Sequence, residues 1–281
     1  MNPVDTPTWI AVAVAAVLAL GVDAIASRRP LPWPPAGSVV LAVAAAAMGI
    51  AQWKVSLGNA MALLPFFLIA AAIIGAALPR IGQPITRLFV AIVAAPIGAW
   101  LILRRIPSYN DTLMTKTAIC GGLTAVAAVL WEMAPTLAGP ATGRLMLGGV
   151  GCFSALCMLL SGCFQIGGYG LIAPAAILSP LLLAWWRVPS AEGLGIATGL
   201  ACGWTWTLMY ATTEVIFPAT WVTLALLGAT PLSALLAWIP ALRIRPWTAA
   251  IVVVVVAILI ASAGAAWTGL YCQPPKSDFG Y

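Results

Sequence analysis

The sequence predicts an all-α, polytopic transmembrane helix bundle of about ten spans, and three observations carry that prediction. Hydrophobic residues fill 63% of the 281 positions and charged residues only 7%, where a soluble domain carries roughly a quarter of its residues as charges. The apolar residues come in runs of about twenty, the length at which a helix with internally bonded backbone crosses about 30 Å of hydrocarbon. Prolines, glycines and arginines separate the runs.

The first span, at about 8–26, ends before Arg28-Arg29-Pro30-Leu31-Pro32-Trp33-Pro34-Pro35. That stretch cannot be helical, because each proline removes an amide donor and restricts the residue before it. Ala24-Ile25-Ala26 has the small-x-small form of a signal-peptide cleavage site, but Met1 to Thr8 holds no basic residue, so the segment reads as a span. The second span, at about 38–53, is short enough to lie partly in the interface. The third, at about 60–79, is closed by Pro79-Arg80 and Gln83-Pro84. The fourth, at about 85–103, contains Pro96 and is closed by Pro107 to Asp111. The fifth and sixth follow at about 117–137 and 144–165, the seventh and eighth at about 170–186 and 193–213. The ninth, at about 218–239, contains Pro231 and ends before Arg243-Ile244-Arg245-Pro246, and the tenth occupies about 248–270. Trp33, Trp53, Trp100, Trp185, Trp186, Trp238, Trp247 and Trp267 lie near these ends, where indoles anchor to headgroups.

Basic residues on short loops set orientation. Arg28, Arg29, Arg80, Arg87, Arg144, Arg187, Arg243 and Arg245 fall on one side, against Lys54, Arg104, Arg105, Lys116 and Lys276 on the other. The larger group is expected to be cytoplasmic, in a bacterial cytoplasmic (inner) membrane, with both termini outside. Because the basic residues sit singly or in pairs at helix ends, the net charge of +6 reads as topology. No basic run remains to track phosphates, so no nucleic-acid partner is expected.

A shift of about 135 residues brings the hydropathy pattern of the two halves into register, span one on span six through span five on span ten. The division is 1–140 and 141–281, two five-helix halves with a short C-terminal tail, forming one integrated membrane domain. Five is odd, so a duplicated half enters the membrane inverted. Pro96 and Pro231 interrupt spans four and nine at matching positions, and paired interruptions of this kind point to a transporter's central site. In architecture and length alone the outline resembles drug/metabolite-type permeases. No motif of that family is present, and the expected outside termini depart from its arrangement.

Ionisable groups within spans are costly and mark candidate sites. Asp23 lies about one turn from Arg28, so pairing or snorkelling accounts for it. Glu132 follows Trp131 about one and a half turns from the end of span five, near Pro135, and Glu214 closes span eight. Span eight carries Gly195, Gly199 and Gly203 at four-residue steps, then Thr207 and Tyr210. Positions 11 apart differ by only about 20° on a helix, so Gly203 shares a face with both Glu192 and Glu214. The glycines form a helix-packing seam that lets a second backbone approach. Ala197 is expected on a different face. The threonines can bond their own carbonyls or line a path.

Span six is rich in small residues, with Cys152, Cys157 and Cys163. Cys152 and Cys163 share a face and Cys157 points away, so these thiols read as packed hydrophobes. Cys120 and Cys202 read the same way, and Cys272 lies in the tail. Gly167-Gly168-Tyr169-Gly170 contains a filter-like Gly-Tyr-Gly but lacks the flanking hydroxyl and acid, and reads as a glycine turn joining spans six and seven. Gly149-Val150-Gly151 lies inside an apolar span with no preceding strand, so it is no nucleotide loop.

With no histidine in the chain, histidine-ligated haem and the usual carboxylate–histidine metal sites are excluded, and general acid/base chemistry loses its usual residue. No phosphate loop and no paired nucleophile and base are visible, so neither an enzyme, a metal site nor a cofactor is expected. Two functions remain. One is a secondary-transporter-type permease for a small neutral or weakly charged solute, with spans four, eight and nine lining the route. Its transport and coupling candidates are Glu214, Glu132, Pro96, Pro231 and Thr207. The other is a non-catalytic scaffold subunit that packs membrane-protein partners. The lipid bilayer is a partner in either case, and a homo-dimer is compatible with both.

Overall fold

Runs of aliphatic residues with few donors or acceptors in their side chains leave the backbone to bond itself, and every regular element among the described residues is helical. The computed structural model describes residues 6–28, 39, 42–44, 46–47, 60–81, 83–106, 111–161, 164–183, 193–213, 220–239 and 246–271. Helix α1 is Thr6–Arg28, and the described positions 39, 42–44 and 46–47 are helical and are labelled α2. Then come α3 (Ala60–Ala77), α4 (Pro84–Leu103), α5 (Leu113–Ala138), α6 (Pro140–Leu160) and α7 (Phe164–Leu178). The last are α8 (Leu194–Thr213), α9 (Thr220–Ala229) and α10 (Pro246–Tyr271). Tighter 3₁₀ segments extend α3 over Leu78–Ile81, α7 over Ser179–Leu183 and α9 over Thr230–Trp238.

Among the described residues five stretches are long and apolar enough to cross a bilayer: Ile85–Leu103, Leu113–Met133, Ala141–Leu160, Trp221–Trp238 and Trp247–Tyr271. Trp9–Ile25, Leu63–Ala77 and Ile166–Leu182 are shorter apolar helices. Size, more than polarity, decides which face turns inward. Ala11, Ala15 and Ala19 are buried on α1, Ala91, Ala95 and Ala99 on α4, and Ala257, Ala261 and Ala265 on α10. The large residues of the same helices, among them Val17, Ile25, Phe89, Ile97, Ile251 and Leu259, are exposed. Small residues at four-residue steps let backbones approach, and large aliphatics facing outward suit a lipid surround. Trp221, Trp238 and Trp247 are exposed at helix ends, as interfacial anchors are.

Helix α8 is the centre. Every residue from Gly193 to Met209 is buried, the condition under which a helix is apolar all round. It packs most extensively on α5, and also on α3 and α4. Helix α6 packs on α7 and α10, and α1 packs on α7 and its 3₁₀ segment.

The expected join between the sixth and seventh helices is corrected. The break between the sixth and seventh helices falls after Leu160, not after residue 165, and Gly167 to Gly170 lie inside α7 and make no turn. The reason is packing: a Cβ at Gly167 would strike Leu159, and one at Gly170 would crowd Ala155, so these glycines bring α7 against α6. In the second segment Val39, Ala42, Val43, Ala46 and Ala47 are buried, so its described positions pack into the core of the bundle. Ala197 lies, as expected, on a different face of α8 from Gly199: a Cβ at Gly75 of α3 would overlap it, whereas Gly199 meets Ala128 of α5.

Candidate functional site

The site is best built outward from the α8 seam. A Cβ at Gly195 would overlap the backbone of Trp131 and Glu132, one at Gly199 the backbone of Ala128, and one at Gly203 the side chain of Thr124. The partners step backward along α5 as the glycines step forward along α8, so the two helices are antiparallel at backbone contact. Glu132 sits at the end of this seam. Its carboxylate accepts the Gly193 amide at 2.9 Å and the Ile196 amide at 3.2 Å. Helix N-termini leave amides unpaired and attract negative charge, so a side chain of α5 caps α8 from outside. Gly193 can turn there because it adopts φ 77°, and a side chain at that position would run into Gly75 and Pro79.

The hydroxyls along α8 bond locally. Thr198 donates to the Leu194 carbonyl at 2.7 Å, Thr205 to Cys202 at 2.7 Å and Thr207 to Gly203 at 2.8 Å. The two interior indoles reach further. Trp204 Nε1 donates to the Ala95 carbonyl of α4 at 3.2 Å, with its ring against Gly98 and Phe67. Trp206 Nε1 donates to Ser154 of α6 at 3.2 Å, and its ring meets Trp131 edge-on at 5.7 Å. The contact between α4 and α8 is therefore filled by an indole.

The paired prolines behave differently. Pro96 lies within an unbroken α4, its ring side against Gly121 of α5. The α-helical part of the ninth helix ends at Ala229, and the next nine residues, Thr230–Trp238, with Pro231 second among them, run as 3₁₀ helix. Nor does Pro231 leave a bare carbonyl. Proline has no amide hydrogen for the carbonyl four residues back, and Thr230 Oγ1 donates to that Leu227 carbonyl at 2.6 Å. The interruption at Pro231 therefore leaves the Leu227 carbonyl satisfied. Two polar groups in this region meet no hydrogen-bond partner: the Trp131 indole N–H, 0% exposed, and the Ser233 hydroxyl, 3% exposed. They belong to α5 and to the 3₁₀ segment that packs against it.

Asp23 is paired, but not with its neighbour in sequence alone. It is buried and faces Arg144, another buried side chain, at 3.8 Å. Arg144, read from the sequence as a loop residue, lies inside the first turns of α6. Residues 121 apart in sequence carry no local signal of pairing. The interior roles of Trp131, Trp204 and Trp206 were missed for a similar reason, since indoles are expected at interfaces. Cys120, Cys157 and Cys202 are buried free thiols and Cys152 is half-buried. Among the described residues no three acidic, cysteine or histidine side chains group to hold a metal ion.

Of the sequence candidates, then, Glu132 and the three seam glycines meet at the α5–α8 contact, Thr207 bonds its own helix, Pro96 packs against Gly121 of α5, and Pro231 lies in the 3₁₀ segment that packs on α5. Glu214 and Glu192 lie outside the described residues. No protein-family model matches this chain, and no curated protein matches its sequence.

Proposed function

We propose that this chain is a small-solute permease of secondary-transporter type, made of ten spans in two inverted five-helix halves and resident in a bacterial cytoplasmic membrane. The observation that supports it is the broken ninth helix. Runs of 3₁₀ helix beyond three or four residues are uncommon, and within a span they mark a hinge or strain. Here nine such residues follow ten of α-helix, together about 33 Å at about 1.5 and 2.0 Å per residue, enough to cross about 30 Å of hydrocarbon. Discontinuous helices near mid-membrane are where transporters bind solute. The Ser233 hydroxyl, in the 3₁₀ segment, and the Trp131 indole N–H, on the α5 helix that packs against that segment, supply unsatisfied hydrogen-bonding groups. The proposed path runs along the 3₁₀ segment, α5 and α8, because Trp204 fills the α4–α8 contact.

Glu214, closing the eighth span, is the proposed coupling group, taking up a proton as the solute moves. Proteoliposomes containing a pH-sensitive dye, challenged with a panel of neutral amino acids, should show a solute-dependent pH change with the wild-type chain. Glu214→Gln should abolish it while leaving the thermal unfolding profile unchanged. Wild-type vesicles indistinguishable from empty ones across the panel would reject the reading.

The scaffold-subunit reading is favoured by a different observation, the dry packing of α4, α5 and α8 around Pro96, Gly98 and Gly121. It expects Glu214→Gln to be silent and partner membrane proteins to co-purify from native membranes. The ten-span topology has its own test. Single cysteines placed at Tyr109 and Ser190 in a cysteine-free chain should react with impermeant reagent from opposite sides of the membrane. Labelling of both from one side would remove an odd number of crossings between them.

A further inference from the structure

We propose that the end of the bundle where α4 meets α5 binds an anionic phospholipid, with its phosphate on Arg104 and Arg105 and an acyl chain laid along α4. Such a site requires only that α4 and α5 cross a bilayer, and both contain stretches long and apolar enough to do so.

The charges come first. Arg104, Arg105 and Lys116 are three of the five basic residues on the cation-poor side of the chain, and the connection between the two helices holds one acid, Asp111. Loop charge bias accounts for cations on the opposite side and leaves this concentration unexplained. Lys116 even stands in the first turn of α5, the end at which a helix dipole disfavours a cation. Packing brings these positions to one end of the bundle. Leu103, closing α4, and Ala211, near the end of α8, share a buried cluster with Ile106 and Leu113 packed against it. Arg104 and Arg105 are exposed, and among the described residues neither forms an ion pair. Arg104 Cζ lies 5.0 Å from the centre of the Trp100 ring, and Lys116 Nζ lies 5.1 Å from that of Tyr210. A guanidinium resting on an indole is steadied by the ring. Its in-plane N–H groups can still grip a phosphate through two parallel bonds.

Below the charges α4 offers hydrocarbon contact. Positions seven and eleven apart differ by only about 20° on a helix. Arg104 therefore shares a face with Ile97 and Val93, with Leu101 beside them, and all three are exposed. From Arg104 to Val93 the helix rises about 16 Å, close to half of the roughly 30 Å of hydrocarbon in a bilayer. One acyl chain in one leaflet has that reach. A cationic end above an exposed apolar stripe one leaflet long is complementary to a lipid with an anionic head, whereas a free phosphate would meet only the cationic end.

The test is native mass spectrometry of the full-length protein in detergent, offered dioleoyl-phosphatidylglycerol and dioleoyl-phosphatidylcholine in equal amounts. The wild-type chain should retain the anionic lipid about twenty-five-fold over the zwitterionic one, about fivefold for each arginine near the headgroup. Arg104→Gln and Arg105→Gln should each remove about fivefold of that preference, and the double variant all of it. Lys54→Gln combined with Lys276→Gln removes the same net charge elsewhere on the cation-poor side, and should bind like the wild-type. Neither inorganic phosphate in large excess nor short-chain dihexanoyl-phosphatidylglycerol should displace the long-chain lipid. These competitions use the wild-type chain and decide the matter even where an arginine variant fails to fold. Equal retention of the two lipids by the wild-type chain overturns the site, as does an equal loss in the lysine control. Displacement by inorganic phosphate would show a free-anion site with no seated lipid, and displacement by the short-chain lipid would show a head held without its chain. Either result also overturns the proposal.

Discussion

Gly199→Leu is expected to lower the apparent melting temperature in detergent by roughly 5–10 °C, the shift that about 3 kcal/mol of overpacking gives a chain of this size. The new side chain has nowhere to go. At Gly199 even a Cβ overlaps the Ala128 backbone, and a backbone cannot rotate aside as a flexible side chain can. The α5–α8 contact would have to open along its length, uncovering the helix on which α3, α4 and α5 all pack. The control is Gly122→Leu, two residues before Thr124 and so about half a turn around α5 from the seam, on an exposed face where a Cβ meets nothing within 4 Å. It should melt within about 1–2 °C of the parent, as surface substitutions do. Equal melting temperatures for the two variants would mean that α8 does not lie against α5.

Glu132→Leu should be nearly as damaging, for an electrostatic reason. The variant strips the Gly193 and Ile196 amides of their acceptor at the first turn of α8. An unsatisfied buried polar group costs about 1–3 kcal/mol, so the pair together costs about 2–5 kcal/mol. Glu132→Gln keeps one carbonyl acceptor and should recover roughly half of that loss. Hydrogen exchange of the amides at 193–196 is the direct measurement, with protection falling in the leucine variant and partly returning in the glutamine one. Unaltered protection in Glu132→Leu would show that the carboxylate is not the cap. A chain in which Glu132→Gln is fully stable but loses solute-driven pH change would give this residue a second role, in coupling.

Much of the fold was legible because hydrocarbon imposes few solutions. The long runs around Ile85–Leu103 and Trp247–Tyr271 can only be helices in that solvent. The glycine steps of α8 announced a close approach without naming its partner. Proline was read too uniformly. Pro96 and Pro231 look alike in sequence, yet α4 continues through its proline while the ninth helix changes type. Thr230 can satisfy the Leu227 carbonyl at the second of these, and nothing in a single sequence weighs that hydroxyl bond against continued α-helix. Likewise Gly167 to Gly170 read as a turn because glycine permits turns, but glycine also permits contact, and in α7 contact prevailed.

By itself, then, the sequence determined the helical class, the runs apolar and long enough to cross a bilayer, and the presence of small-residue seams, since these follow from composition and from four-residue spacing along one chain. Tertiary structure alone decided which helices share a seam, that Glu132 caps α8 and that Asp23 faces Arg144. It also decided that Trp131, Trp204 and Trp206 lie inside the bundle and not at its rim. The physical reason is that lipid-facing and core-facing surfaces of this protein are equally apolar. Hydropathy therefore has no contrast with which to orient a helix, and only the fit of side chains against neighbouring backbones, at residues far apart in sequence, settles which face turns inward.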